Sequence, residues 1–245
     1  MFKARIRMEV LREMVEVIST LVSEVKLGIS KDGVEIKAVD PSHVAMLVLK
    51  LNKNVFEEFT GEPTEIGLDV EKVKEVLRLC KPGDVLDLQY DGGKNRLVLH
   101  VGKVTRHMSV VDPAGITDPK VPNVSPPGVA VVKMEELRQG IRGSESISDH
   151  VTITLDAEGF TMHSEGETDR VDLKLPKEAL KRLEAKETVK SMYPLDFFSN
   201  MVKSITSSDE VTLFVGNEYP LKIEFKVAGD KGEGRFLLAP RVEED

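Results

Sequence analysis

The chain has a single cysteine, Cys80, and no tryptophan among its 245 residues, and only 5% of them are aromatic. One cysteine cannot close an internal disulfide, and without partner cysteines a structural zinc site has no thiolate set to draw on. An intracellular protein is expected. No stretch approaches the roughly 18 apolar residues that a spanning helix needs. The opening Met1-Phe2-Lys3-Ala4-Arg5-Ile6-Arg7 also lacks the apolar run of a signal peptide, so neither export nor insertion is expected. The sequon Asn123-Val124-Ser125 is accordingly read as chance. An excess of positive charge is missing too: 34 Lys and Arg stand against 42 Asp and Glu, a formal net charge of −8. That balance opposes nonspecific attraction to DNA or to an acidic membrane unless the cations gather on one face. Signatures of metal and nucleotide chemistry are likewise missing. His43, His100, His107, His150 and His163 share no ligand spacing, no Walker or dinucleotide glycine motif occurs, and Gly229, Gly232 and Gly234 read as a hairpin turn rather than a phosphate cradle. No catalytic residue, no metal and no cofactor are expected.

What the chain does have is order. With 40% hydrophobic and 31% charged residues it has the composition of a globular protein with a charged surface. The stretch from Asp112 to Gly128 contains five prolines. Proline lacks a backbone N–H and fixes φ, so neither a helix nor a central strand is expected to run through it. The reading is an N-terminal domain, 1–111, an extended connector, 112–128, and a C-terminal domain, 129–245.

Each half repeats a strand, a helix and a hairpin twice. From Glu9 to Ser23, Val10, Met14, Val17, Ile18, Leu21 and Val22 recur at helical spacing, leaving Glu9, Arg12, Glu13, Glu16 and Thr20 on the polar side. Val25 to Ser30 and Val34 to Val39 alternate around Lys31-Asp32-Gly33, a hairpin, and Val44 to Leu51 follows as a strand. A loop through Gly61-Glu62-Pro63 leads to a strand near Glu65 and to a helix with Val70, Val73, Val76, Leu77 and Cys80 inward. Strands Val85 to Tyr90, Arg96 to Val101 and Val104 to Val111 complete the half. After the connector come a strand from Val129, a helix from Met134 to Arg142, strands Val151 to Leu155, Phe160 to Ser164 and Arg170 to Leu175, and a helix from Leu195 to Ile205. Strands Val211 to Val215, Leu221 to Val227 and Arg235 to Ala239 close the chain. Val25 to Gly33 matches Val151 to Gly159 at a constant offset, and the same offset takes Asp84-Val85-Leu86 to Glu210-Val211-Thr212, which marks a duplication. The expected class is α+β: two similar domains, helices on one face and antiparallel sheets on the other.

Ala38-Val39-Asp40-Pro41-Ser42-His43-Val44, the central Val121-Pro122 and the ending Leu237-Leu238-Ala239-Pro240-Arg241-Val242-Glu243-Glu244 resemble the PCNA-type sliding clamp (proliferating cell nuclear antigen family), in a form more archaeal than eukaryotic. The resemblance covers the whole chain. It implies a DNA clamp fold and a homotrimeric ring that encircles double-stranded DNA without reading its sequence. It also implies a processivity factor tethering DNA polymerase, clamp loader, flap endonuclease and DNA ligase through short interacting peptides. The compartment would be the cytoplasm if archaeal and the nucleus if eukaryotic. A subunit of a mixed ring and a non-encircling interaction module are the alternatives.

Three sets of residues follow from that resemblance. Arg12, Lys74, Arg78, Lys81, Arg138, Arg142 and Lys203 lie on polar helix faces and would meet DNA phosphates, a contact that carries no sequence information. Glu9, Glu13, Glu16 and Glu75 interrupt that basic face. Val39, His43, Val44, Met46, Val121, Pro122, Pro220, Leu238, Ala239 and Pro240 match the family's groove for aliphatic and aromatic peptide anchors. Arg106, His107, Met108 and Val110 in the first half, with Arg170, Val171 and Leu173 in the second, match the joining strands, where Arg106 and His107 on one side and Asp169 and Asp172 on the other are candidates for ion pairs whose pairing sequence does not fix.

Overall fold

The computed structural model describes residues 1–241; Val242, Glu243 and Glu244, part of the family-like ending, lie outside the described residues. The first half runs β1 (Phe2–Arg7), α1 (Met8–Ser19), β2 (Glu24–Ser30), β3 (Gly33–Val39), β4 (Ala45–Asn52), β5 (Glu58–Gly61), β6 (Thr64–Asp69), α2 (Val70–Leu77), β7 (Val85–Asp91), β8 (Arg96–Val101) and β9 (Val104–Ser109). The second runs β10 (Gly128–Lys133), α3 (Met134–Ser144), β11 (His150–Leu155), β12 (Gly159–Glu165), β13 (Arg170–Pro176), β14 (Arg182–Glu184), β15 (Val189–Pro194), α4 (Leu195–Ser204), β16 (Glu210–Val215), β17 (Leu221–Val227) and β18 (Gly232–Leu238). The chain forms two compact units, residues 1–120 with 226–234 and residues 121–225 with 235 onward.

Within the first unit, β5-β1-β7-β8-β9 form one antiparallel sheet and β4-β3-β2-β6 a second run of strands. Within the second, β13-β12-β11-β15 form a sheet and β14-β10-β16-β17-β18 another run. Helix α1 packs on α2, and α3 on α4. The alternation that marked the strands does what it implies: in β8, Leu97, Leu99 and Val101 are buried. The helices bury stripes such as Val70, Val73, Val76 and Leu77 in α2 and Leu195, Phe198, Met201 and Val202 in α4. Each such side chain contributes about 1.5–3 kcal/mol when fully buried.

The same device starts every helix. The first N–H of α1, at Met8, donates to the Asp84 carbonyl (2.8 Å), and that of α2, at Val70, donates to the Ser23 carbonyl (2.9 Å). In the second unit Met134 donates to Asp209 and Leu195 to Asp149, both at 2.8 Å. Each acceptor precedes the strand that follows the other helix of the pair, so the two helices of a unit hold each other's ends. These bonds satisfy N–H groups that have no partner inside a helix, and in α1, α3 and α4 no side chain caps the end instead.

Several expectations change. The helix read as Glu9 to Ser23 ends at Ser19, and α2 ends at Leu77, which leaves Cys80 and Lys81 in the turn before β7. Strands β5 and β14 are additions; at four and three residues they are too short to show a period. Pro113–Gly115 forms a 3-10 turn in the connector, capped by the Asp112 carboxylate accepting from the Ala114 N–H. Proline suits the first position of such a turn because its missing N–H would have no partner there.

Gly33 and Gly159, the matched glycines of the duplication, begin equivalent strands for one steric reason. A Cβ on Gly33, at φ +146, would lie 1.9 Å from the Leu51 carbonyl oxygen, and one on Gly159 would lie 2.2 Å from that of Leu175. Gly33→Ala and Gly159→Ala should each destabilise their unit by about 1–3 kcal/mol, read as a lowered midpoint in thermal unfolding followed by circular dichroism.

Candidate nucleic-acid interface and docking surfaces

The helix faces hold seven expected cations in three conditions. Arg12 on α1, Arg78 at the end of α2, Lys81 beyond it and Arg142 in the last turn of α3 are exposed and form no ion pair among the described residues. Lys74 pairs with Glu71 one turn earlier (2.7 Å), and Lys203 pairs with Glu145. Arg138 is half-buried and donates to the Ile205 carbonyl at the end of α4, a structural employment. Exposed pairs of the Lys74 kind contribute about 0–1 kcal/mol, so a phosphate can compete for them.

Three of the four acidic interruptions have work inside the fold. Glu9 accepts from the Gly83 N–H (2.6 Å), a bond that holds its carboxyl below the usual glutamate range. Glu75 pairs with Arg106 at 3.0 Å. Glu13, expected on the polar side, is buried: it is 4% exposed and accepts from the Ala228 N–H (3.2 Å) in the turn of residues 226–234. Glu145 is held below its ordinary value first by Lys203 and then by the Ser199 hydroxyl. Each of these four carboxylates has a partner, whereas the half-buried Glu16 of α1 remains an acidic interruption of its helix face.

The corner between β3 and β4 is built by a residue that the sequence reading passed over. Val39 and Met46 are the last paired residues of the two strands. Between them Asp40 is 3% exposed, and its carboxylate accepts from the N–H groups of Ser42 and Val44 at 2.8 Å, from that of Ala45 at 2.6 Å and from the Ser42 hydroxyl. Pro41, Ser42 and His43 are exposed, Val39 and Val44 half-buried. His43 has φ +59, a left-handed conformation uncommon outside glycine. The signal available in sequence was Asp followed by Ser two residues on, the pattern of a side chain closing its own turn.

The other expected groove residues divide by burial. Met46 is 7% exposed and Leu238 0%, so both are core here rather than open wall, while Ala239, Pro240, Pro220 and Val121 are half-buried and Pro122 is exposed. The terminal segment is tied by the Arg241 N–H donating to the Met192 carbonyl, and near Pro220 the buried Tyr193 hydroxyl donates to the Tyr219 carbonyl at 2.9 Å. Burial pushes the Tyr193 phenol up to about 12, so it is a donor at every physiological pH.

Both expected joining strands are sheet edges. β9 lies at the end of its sheet and β13 at the end of its own, so each presents a row of backbone groups with no partner on one side. Val104 is 48% exposed, Arg106 and His107 are exposed, Met108 is buried and Val110 half-buried. On β13 Arg170 and Asp172 are exposed, and Val171 and Leu173 are half-buried. The glycines of α3 make room for the latter two: a Cβ on Gly140 would come within 2.9 Å of Leu173 Cδ2, and one on Gly143 within 3.2 Å of Val171 Cγ1. Sequence reasoning missed both glycines, although a glycine inside a helix costs about 1 kcal/mol and so asks for a reason. Arg106 is already paired with Glu75, and Asp172 with His163 (2.7 Å) and Arg170 (3.8 Å). The His163 hydrogen bond is what holds the Asp172 carboxyl down.

Two family models match the chain, the proliferating cell nuclear antigen N-terminal domain over residues 1–111 and its C-terminal domain over 127–241. The chain belongs to the proliferating cell nuclear antigen family. Curated relatives named DNA polymerase sliding clamp include those of Thermoplasma volcanium, 36% identical, and Methanosarcina mazei, 35% identical, each matched over the whole of both chains. Among solved structures, the A. fulgidus PCNA bound by the C-terminal region of FEN-1 superposes with a TM-score of 0.94 at 27% identity over all of both chains. The PCNA of Thermococcus kodakaraensis gives 0.90 at 26% identity, covering 98% of this chain and 100% of that one. The architecture is the α+β clamp fold and the function that of a DNA sliding clamp. Among the described residues no helix is long and apolar enough to cross a membrane, and no cluster of three His, Cys, Asp or Glu could hold a metal ion.

Burial by itself pushes the Asp40 carboxyl up, but the bonds from Ser42, Ala45 and Val44 outweigh it and the net shift is downward. A carboxylate with a lowered folded pKa contributes stability that is present above its unfolded pKa and lost as pH falls through the folded one. Amide exchange at Val44 and Ala45 should therefore stay slow at neutral pH and accelerate in acid below the ordinary aspartate range, relative to amides of β8; NMR-detected hydrogen exchange measures this.

Proposed function

We propose that three copies of this chain close head to tail into a ring that encircles double-stranded DNA and acts as a non-catalytic processivity platform. The observation that carries the reading is the match of both halves, over their full length, to DNA polymerase sliding clamps. Residues 1–111 and 129–245 are proposed as the two clamp domains and 112–128 as their connector. An isologous contact would stop at a dimer, whereas unlike edges joined repeatedly make a ring when the rotation closes. The unlike edges here are β9, with Arg106, His107, Met108 and Val110, and β13, with Arg170, Val171 and Leu173.

The DNA-facing set is proposed to be led by Arg12, Arg78, Lys81 and Arg142, with Lys74 and Lys203 recruited from weak pairs and Arg138 held back by its backbone bond. A ring retained by topology needs only modest phosphate affinity, and mobile phosphate contacts permit sliding. The residues proposed for partner peptides are Val39, His43, Val44 and Met46 in the first unit, and Val121, Pro122, Pro220, Leu238, Ala239 and Pro240 in the second. The bound C-terminal region of FEN-1 on the A. fulgidus relative supports a flap endonuclease among the partners; polymerase, clamp loader and DNA ligase follow from the family. The proposed compartment is the cytoplasm if the source is archaeal, which the archaeal relatives support, and the nucleus if it is eukaryotic.

Light scattering across a dilution series tests the ring first: three chains of 27.2 kDa give about 82 kDa, and a mass near one chain refutes self-assembly. Arg78→Glu with Arg142→Glu should leave that mass unchanged, lower the yield of loading onto circular DNA about tenfold and lower the salt dependence of DNA binding; unchanged DNA behaviour removes the helix faces from the interface. Val44→Asp should abolish binding of a partner peptide, measured by calorimetry, at unchanged ring mass. Leu238 is a poor site for that test because a charge in its fully buried position would unfold the strand end.

A further inference from the structure

The corner of β3 and β4 contains a buried carboxylate with no cation paired to it among the described residues. Beyond the four bonds that the Asp40 side chain accepts, its own N–H donates to the Ala45 carbonyl (3.0 Å), and its carbonyl accepts from the His43 N–H at 2.9 Å. Burying an ionised carboxylate is costly unless hydrogen bonds replace its water. An exposed Asp or Asn closes a turn without that cost, so the burial calls for a further reason. Its visible consequence is local. The carboxylate fixes the N–H groups on both sides of His43, which stands at φ +59 with its side chain exposed, and it fixes that of the half-buried Val44.

We propose that Asp40 is a positioning residue for partner binding: it locks the corner so that His43 and Val44 are presented to an incoming peptide already in the bound conformation. The inference rests on the reading of this corner as a docking surface. A segment ordered in advance costs less to bind, because the entropy of arranging it is lost on folding and not again on association. The occupant is a peptide segment with aliphatic and aromatic anchors, since the half-buried Val39 and Val44 offer apolar surface beside the exposed Pro41, Ser42 and His43.

The substitution Asp40→Asn keeps the shape but replaces one acceptor oxygen by a donor, leaving the N–H and hydroxyl groups on that side without an acceptor. A fluorescein-labelled synthetic peptide carrying aliphatic and aromatic anchors is titrated by fluorescence anisotropy, with ring mass followed by light scattering. Asp40→Asn should bind about tenfold more weakly at unchanged ring mass, the size expected for one lost charge-assisted hydrogen bond. In the same variant amide exchange at Val44 should quicken while that of β8 stays unchanged, which separates a loosened corner from a loosened fold. Wild-type affinity in Asp40→Asn, or weakened affinity with unchanged exchange at Val44, overturns the inference. Should Asp40→Asn fail to fold, Ser42→Ala carries the test, with affinity about threefold weaker expected from the loss of one hydroxyl bond and unchanged affinity overturning the proposal. A wild-type protein that does not bind the peptide removes the docking surface itself, and the inference with it.

Discussion

The clamp fold in this chain depends on a reciprocal bond between paired helices. Each helix begins on a backbone N–H that would be left unsatisfied, and in every case the acceptor is the carbonyl that ends the link out of the partner helix. The arrangement makes a helix pair with its flanking strands the smallest unit that satisfies itself. One helix cannot be shifted along its axis without breaking the start of the other. The exposed sides of the helices are thereby held in place by backbone, which leaves the side chains on them free for other use.

That freedom bears on how a chain with net charge −8 can carry exposed, unpaired cations on its helices. Glu9, Glu13, Glu75 and Glu145 bind an N–H, an arginine, a lysine or a hydroxyl within their own unit. Their charges are met locally, whereas Arg12, Arg78, Lys81 and Arg142 are not. Counting acids and bases by helix therefore understates the positive potential that a phosphate would encounter.

Where a pattern spans a whole element, sequence was enough: the stripes of the helices and the alternation of the hairpin strands were legible. Short elements were not, because β5 and β14 are shorter than the window in which a period can be recognised. Single side chains that cross between elements escaped for a different reason. Glu13 sits on the polar side by spacing, yet a turn far away in sequence covers it and supplies its donor. Asp40 read as part of a family motif, and its role as the hub of the corner appears only when the donors of Ser42, Val44 and Ala45 converge on it. Met46 and Leu238 carried the right chemistry for a pocket wall, but their burial depends on packing that no local pattern encodes. Gly140 and Gly143 serve side chains of a strand some thirty residues on.

The bare edges of β9 and β13 also bear on how such a protein must be made and kept. An uncovered strand carrying Val104 at nearly half exposure is a template for any extended chain that meets it. Newly synthesised or diluted copies each carry two such templates, and polymerisation without closure is the competing outcome. Supply matched to assembly would then matter as much as fold stability, and copies made at high concentration without closing would be lost to precipitation rather than to unfolding.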